Sequence, residues 1–352
     1  MLDTAELRKF HTERRERRVA VTCDKSSVPM LWLDSSVLID FAKIDNNENI
    51  EVVRASKLTR LRTLTRKAVR AGRLVCPEWE QSLEFEGKRL ERQICRVISD
   101  LSCGAHCVPH AGVKDQQIFR GLKAYLNLAD CIHIPARIYF YKDPARAVRE
   151  AVETGLIVEA DMPKPPEWLE KSNSDKRQTQ IGLESIRQRC SANARTFEEQ
   201  LAVERVGESD VMLGMQRDFM KNVVSGKYDF WEFMSVQGYL QYQCWWRDMS
   251  GPGPDFAALY SFMRSPYYWE LPIEDIACRL YADLMTKPPE VKSGDSHDIQ
   301  HLATAIPVAH YVLADRAMVD RCERLGIGTK WNTKLFSARN LDELCRQLEA
   351  LM

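Results

Sequence analysis

The sequence predicts an α/β protein, a central parallel sheet flanked by helices, assembled from both ends of the chain around a large helical insertion. Two observations lead there. Short apolar runs at residues 30–33 and 311–314 each stop on an aspartate and pass into a helix-forming stretch, the alternation that α/β architecture requires. Between them, residues 101–285 read mainly as successive helical stretches. A chain of 352 residues, 45% of them hydrophobic, can bury one large core or two ordinary ones without disulfides.

Taken in order, residues 2–20 are charged and helical in pattern, and a polar loop follows to Pro29. Residues 30–33 predict a buried strand ending on Asp34, after which Ser35 and Ser36 can cap a helix through Phe41. Residues 52–72 predict a long helix with Leu58, Leu61, Leu64 and Ala68 on its apolar face and a run of arginines and lysines elsewhere. No acid lies between Glu51 and Glu78. Residues 73–76 predict a second strand closed by Pro77, and residues 78–96 a helix carrying Glu80, Glu84 and Glu91.

Helices are predicted at 116–128, 144–153, 174–206 and 210–224, before an aromatic-rich stretch whose helical spacing reads as core. The alternating pattern then resumes, with a helix at 295–306, a strand at 311–314 ending on Asp315, a helix to 325, a strand at 334–336 and a final helix from Leu341. The expected organisation is a helical lead-in at 1–29, sheet-forming parts at 30–102 and 286–352, and an insertion at 103–285.

Lysine plus arginine equals aspartate plus glutamate at 50 each, so the net field selects no partner. The charged start lacks the apolar run of a signal peptide and no segment is long enough for a membrane span, which predicts a cytoplasmic protein without a membrane partner. The eleven cysteines then read as reduced thiols. Cys103, His106, Cys107 and His110 have spacing that offers ligands to zinc; the other reading is a helix end and loop with partly buried thiols.

Asp34 and Asp315 follow apolar strands, the place where a parallel sheet presents its binding crevice. Glu84 and Asp298 stand on flanking helices, with Glu80 and Asp295 as alternatives beside them. Carboxylates gathered in one crevice repel unless a proton or a hard cation compensates, and magnesium or manganese suits oxygen ligands. The basic helix, with Arg62, Arg66 and Arg70, is the candidate for phosphate contact, against the alternative of a solvated charged face. Asp40 and Asp45 read as surface acids, and His297, His301 and His310 as structural histidines, the alternative being that one of the three touches substrate or metal.

Leu-Trp-Leu-Asp-Ser-Ser-Val-Leu-Ile-Asp at 31–40, residues 298–305 and Val312 to Asp315 together resemble the motifs of PIN-like nucleases. The resemblance covers residues 30–102 and 286–352. It implies a parallel sheet with Asp34, Glu84, Asp298 and Asp315 as catalytic acids around Mg2+ or Mn2+, and Ser36 in the place of the family's small hydroxyl residue. The implied activity is hydrolysis of phosphodiester bonds, with RNA preferred and DNA the other substrate. A non-catalytic binding module of the same fold is the rival reading, and the insertion is available to a protein partner in either case.

Overall fold

In the computed structural model the described residues are 4–80, 85, 89–154, 166–227, 230–287 and 290–352. The strands are β1 (Ala20–Cys23), β2 (Leu31–Leu33), β3 (Cys131–Ile134), β4 (Tyr311–Leu313) and β5 (Lys334–Phe336). The chain forms two units, one containing Cys23–Val113, Pro135–Ser185 and Glu290–Met352, the other Met1–Thr22, Lys114–Ile134 and Ile186–Pro289. We call them the sheet unit and the helical unit.

In the sheet unit, β2 pairs in parallel with β4, and β4 with β5. Leu31, Trp32 and Leu33 are all buried, as are Tyr311, Val312 and Leu313. Continuous rather than alternating burial is what a parallel sheet covered on both faces produces. On the other side of β2, Met30 bridges Val75 in parallel, and further along the same segment Glu78 bridges His106 in parallel. The order across the sheet is therefore the 106 segment, the 75–78 segment, β2, β4, β5. The α/β expectation holds in this coarse form, a small parallel sheet flanked by helices. Strand order reverses between β2 and β4, the switch point beside which open α/β sheets bind ligands.

One sequence expectation needs correction here. Of the helix expected over 78–96, residues 81–84 and 86–88 lie outside the described residues; Glu78 is in a parallel bridge, with Glu78 N–H bonded to Ala105 O and Cys107 N–H to Glu78 O, both at 2.9 Å, and the helix observed in this region spans Glu91–Ser102. At residues 103–110 the structure shows the helix end and loop: Cys103 ends a helix at φ 45°, His106 pairs with Glu78, and Cys103 and Cys107 are buried thiols.

The helical unit is made chiefly of helices, with β1 and β3 forming a two-stranded sheet. The lead-in helix is Thr4–Glu16, and its Arg14 is buried, donating to the carbonyls of Tyr125 and Leu126 at the end of helix His110–Leu126. Expected helices 174–206 and 210–224 are divided elsewhere, into Pro166–Ala192, which belongs to the sheet unit as far as Ser185, and Phe197–Val224. Ala194 is left-handed at φ 48°, and Thr196 with Glu199 forms a capping box that restarts the helix, a Thr-x-x-Glu signal readable in the sequence. The aromatic stretch contributes core, as expected: Trp246, Phe262 and Tyr267 are fully buried and Tyr125 stands edge-on to Phe262 and Tyr267. Gly121 is required there, since a Cβ would lie 2.7 Å from the carbonyl of Tyr267.

Candidate functional site at the carboxyl edge of the sheet

Asp34 and Asp315 leave the carboxyl ends of β2 and β4, on either side of the switch in strand order. Leu33 pairs with Leu313, and Asp34 N–H bonds to Leu313 O at 2.9 Å, so pairing continues one residue beyond the strands. Asp34 thus stands level with Ala314, and strand spacing and rise bring the Cα atoms of Asp34 and Asp315 within about 6 Å. Each then caps the helix it begins. Asp34 caps Ser35–Asp45, its Oδ2 accepting from Ser36 N at 3.3 Å and Ser36 Oγ at 2.5 Å; Asp315 caps Arg316–Arg324, accepting from Ala317 N at 3.0 Å. Asp34 is buried at 6% exposure, while Ser36 and Asp315 are exposed, so a ligand at this edge meets the latter two directly.

Asp298 lies in the first turn of helix Asp295–Ala305, half-buried, with its carboxylate back over the turn: a Cβ on Gly294 would be 3.7 Å from Asp298 Oδ2. The far end of that helix is anchored at the amino side of the sheet, where Lys25 Nζ donates to Ile306 O at 3.0 Å and Ala309 O at 2.7 Å. Its first turn consequently points toward the carboxyl edge. Asp295 is engaged locally, its Oδ2 accepting from Lys292 N at 2.8 Å.

Glu84 lies outside the described residues. Its alternative, Glu80, accepts from His110 N at 3.0 Å, and the His110 ring bonds Thr304 at 2.7 Å. Thr304 is six positions, about 9 Å, along the helix from Asp298. Glu80 therefore ties the end of the second parallel segment to the middle of the sheet unit and is drawn away from that first turn. His310 is structural: its Nδ1 accepts from Met30 N at 3.2 Å, and burial, then Lys25, lowers its pKa and keeps that nitrogen able to accept. Among the described residues, no three His, Cys, Asp or Glu side chains are gathered so that they could hold a metal ion.

The basic helix is Val52–Arg70, directly before the second parallel segment as expected. Arg62 pairs with Asp45 at 2.5 Å, and Asp45 ends the helix that Asp34 begins, roughly 16 Å away along its axis. Arg66 and Arg70 pair with Asp100 at 3.0 and 3.3 Å, and Arg70 closes the helix just before the second parallel segment starts. These arginines thus line the amino side of the sheet, not the carboxyl edge, because a parallel segment following a helix must begin at that helix's end. Of the two acids read as surface residues, Asp45 is exposed and paired with Arg62, whereas Asp40 is buried and bonded to Arg54 at 2.5 Å.

The fold and this edge define an α/β protein with acids at the ends of adjacent parallel strands flanking a switch in strand order. Comparison with family models, curated proteins and solved structures gives no match to the chain.

Proposed function

We propose that the protein is a PIN-like phosphodiesterase, a divalent-metal-dependent endoribonuclease acting at the carboxyl edge of the sheet. The observation that supports this reading is the adjacency of Asp34 and Asp315 across the β2–β4 pairing. The donor set suits magnesium or manganese, since magnesium is commonly bound through one or two carboxylates while keeping several waters and substrate phosphate oxygens as further ligands. Asp34 and Asp315 would hold the ion, with Asp298 as the next donor and Glu84 as the acid implied by resemblance. The ion would lower the pKa of a bound water and neutralise charge on the phosphodiester.

The chain's own groups have separate tasks in this reading. Ser36, whose hydroxyl bonds the buried Asp34, keeps that carboxylate in one orientation. The exposed Asp315 is the acid that approaching substrate meets. The amino ends of helices Ser35–Asp45 and Arg316–Arg324 direct N–H dipoles at the same edge, which favours an anionic phosphate. RNA is preferred over DNA by analogy with the resembled family alone. Among the described residues no helix is long and apolar enough to cross a membrane; the cytoplasm is the proposed compartment, where the eleven free thiols would stay reduced.

The test is cleavage of labelled single-stranded RNA and DNA by the full chain, with manganese and with chelator. Metal-dependent cleavage of RNA is expected, with a loss of at least about 100-fold in Asp34→Asn and Asp315→Asn. Equal cleavage by either variant, or none by the unaltered chain, overturns it. The absence of a gathered three-ligand group among the described residues favours a second reading, the same edge used for binding without catalysis. Under that reading the unaltered chain binds RNA, and magnesium changes neither its affinity nor its melting temperature.

A further inference from the structure

A groove of about 570 Å³ runs along the helix Val52–Arg70 within the sheet unit. Its wall is one face of that helix, where Thr59, Arg62, Thr63, Arg66, Lys67 and Arg70 recur at three- and four-residue spacing. Its floor is apolar, from Phe41 and Ile44, and Asp45 is its one acidic lining residue. Arg62 is neutralised by Asp45, but Arg66 and Arg70 share the single carboxylate of Asp100. Among the described residues Lys67 has no ion-pair partner and is exposed. Four cations facing two carboxylates leave two positive charges in surplus, in a chain whose formal net charge is zero.

The pairing also gives the surplus a shape. Asp45 and Asp100 already hold the guanidinium groups of Arg62, Arg66 and Arg70 by ion pairs, which reduces their ordering cost when a ligand arrives. The exposed hydroxyl-bearing Thr59 and Thr63 stand on the same face. Phe41 is only 1% exposed and cannot stack a base. Cations and hydroxyls without an accessible aromatic platform match a repeating phosphate, not the bases between.

We infer that this groove docks the phosphodiester backbone of a single-stranded nucleic acid, at a site distinct from the carboxylate edge. The inference rests on the proposed activity only for the identity of the polymer. Asp34 and Asp45, the two ends of one helix, are roughly 16 Å apart. At about 3.4 Å per stacked nucleotide, a strand reaching from the groove to the carboxylate edge must be about five nucleotides or longer. The groove would hold the part of a long strand that is not being cut.

The test is binding of a fluorescent 20-nucleotide single-stranded RNA to the full chain in chelator, followed by anisotropy over a range of salt concentrations. Lys67→Ala, which breaks no ion pair, and the pair Arg66→Ala with Lys67→Ala are compared with Lys221→Ala, an exposed lysine outside the groove. Expected are a Kd raised about threefold or more by Lys67→Ala, a further rise in the double variant, and a slope of log affinity against log salt shallower by about 0.7 for each cation removed. Thermal melts of the variants identify any loss through unfolding, and Lys67→Gln supplies a second charge removal with the stem retained. Unchanged Kd and slope in the groove variants, or equal losses in Lys221→Ala, overturn the inference. Because chelator suppresses metal-dependent cleavage, weakened binding by the groove variants supports the groove even if the unaltered chain cuts nothing. Conversely, cleavage abolished by Asp34→Asn with groove variants binding normally overturns the groove alone.

Discussion

Asp34 donates its backbone N–H to the carbonyl of Leu313 at 2.9 Å, and this one bond carries the pairing of β2 and β4 past the last strand residues to the two acids. Both acids are also helix caps, so the side chains proposed to act on substrate are held by the same backbone groups that start two helices. Stability and activity are therefore separable at these positions by choice of substitution.

Asparagine at position 34 or 315 keeps a cap and removes a charge, so unfolding free energy should change by less than about 0.5 kcal/mol while cleavage is lost. Alanine removes both and should cost about 1–2 kcal/mol. Amide hydrogen exchange in helices Ser35–Asp45 and Arg316–Arg324 reads the difference: protection retained in the asparagine variants and reduced in the alanine variants.

Lys114 of the helical unit lies half-buried 2.9 Å from Glu274 and 3.5 Å from Glu208, with Tyr239 donating to Glu208 at 3.0 Å. Burial opposes its charge, but Glu274 and then Glu208 outweigh burial and raise its pKa. Lys114→Met leaves two carboxylates without their cation and should destabilise by about 3–5 kcal/mol in urea unfolding. Adding Glu274→Gln should recover part of that loss; no recovery would mean the carboxylate is not what the lysine compensates.

His11 bonds Tyr125 Oη at 2.7 Å, and burial, then Arg14 and Arg15, lowers its pKa to about 4. The unfolded ring takes up its proton near pH 6.5, so stability from keeping it neutral is present above about pH 6.5 and is lost as pH falls from there to about 4. Allowing for the half-exposed ring, the loss should be on the order of 1–2 kcal/mol. His11→Phe should flatten the pH dependence in that window, and NMR titration should find the ring neutral at pH 5.5.

His106 shifts the other way. Its hydrogen bond to Glu78 raises its pKa, so the stability it adds is present below the unfolded value and is lost as pH rises through the folded one. The ring is half-exposed, and a few tenths of a kcal/mol are expected. In Glu78→Gln the NMR midpoint of His106 should fall back toward its ordinary value.

Much of the sheet was legible because parallel strands buried on both faces leave dense apolar runs: residues 30–33, 311–314 and 334–336 all contain or coincide with observed strands. The segments at 75–78 and 106 were harder. They make single bridges instead of ladders, and Ala105 to Val108, bounded by Gly104 and Pro109, resembles a loop unless its pairing with Glu78 is known. The acids at 34 and 315 could be read as strand ends; their adjacency depends on register, which no local pattern contains. The arginines show the opposite limit. Their charge was evident at once, but placing them required the direction of the 75–78 segment and the carboxylates of Asp45 and Asp100, neither of which is near in sequence.

Met30 and His310 touch across 280 positions of chain. During synthesis at about 5–20 residues per second, β2 waits roughly 15–55 seconds before its neighbour β4 exists. Any product halted ahead of Tyr311 has Asp34 without Asp315, so an interrupted polypeptide cannot bring the two acids side by side at this edge.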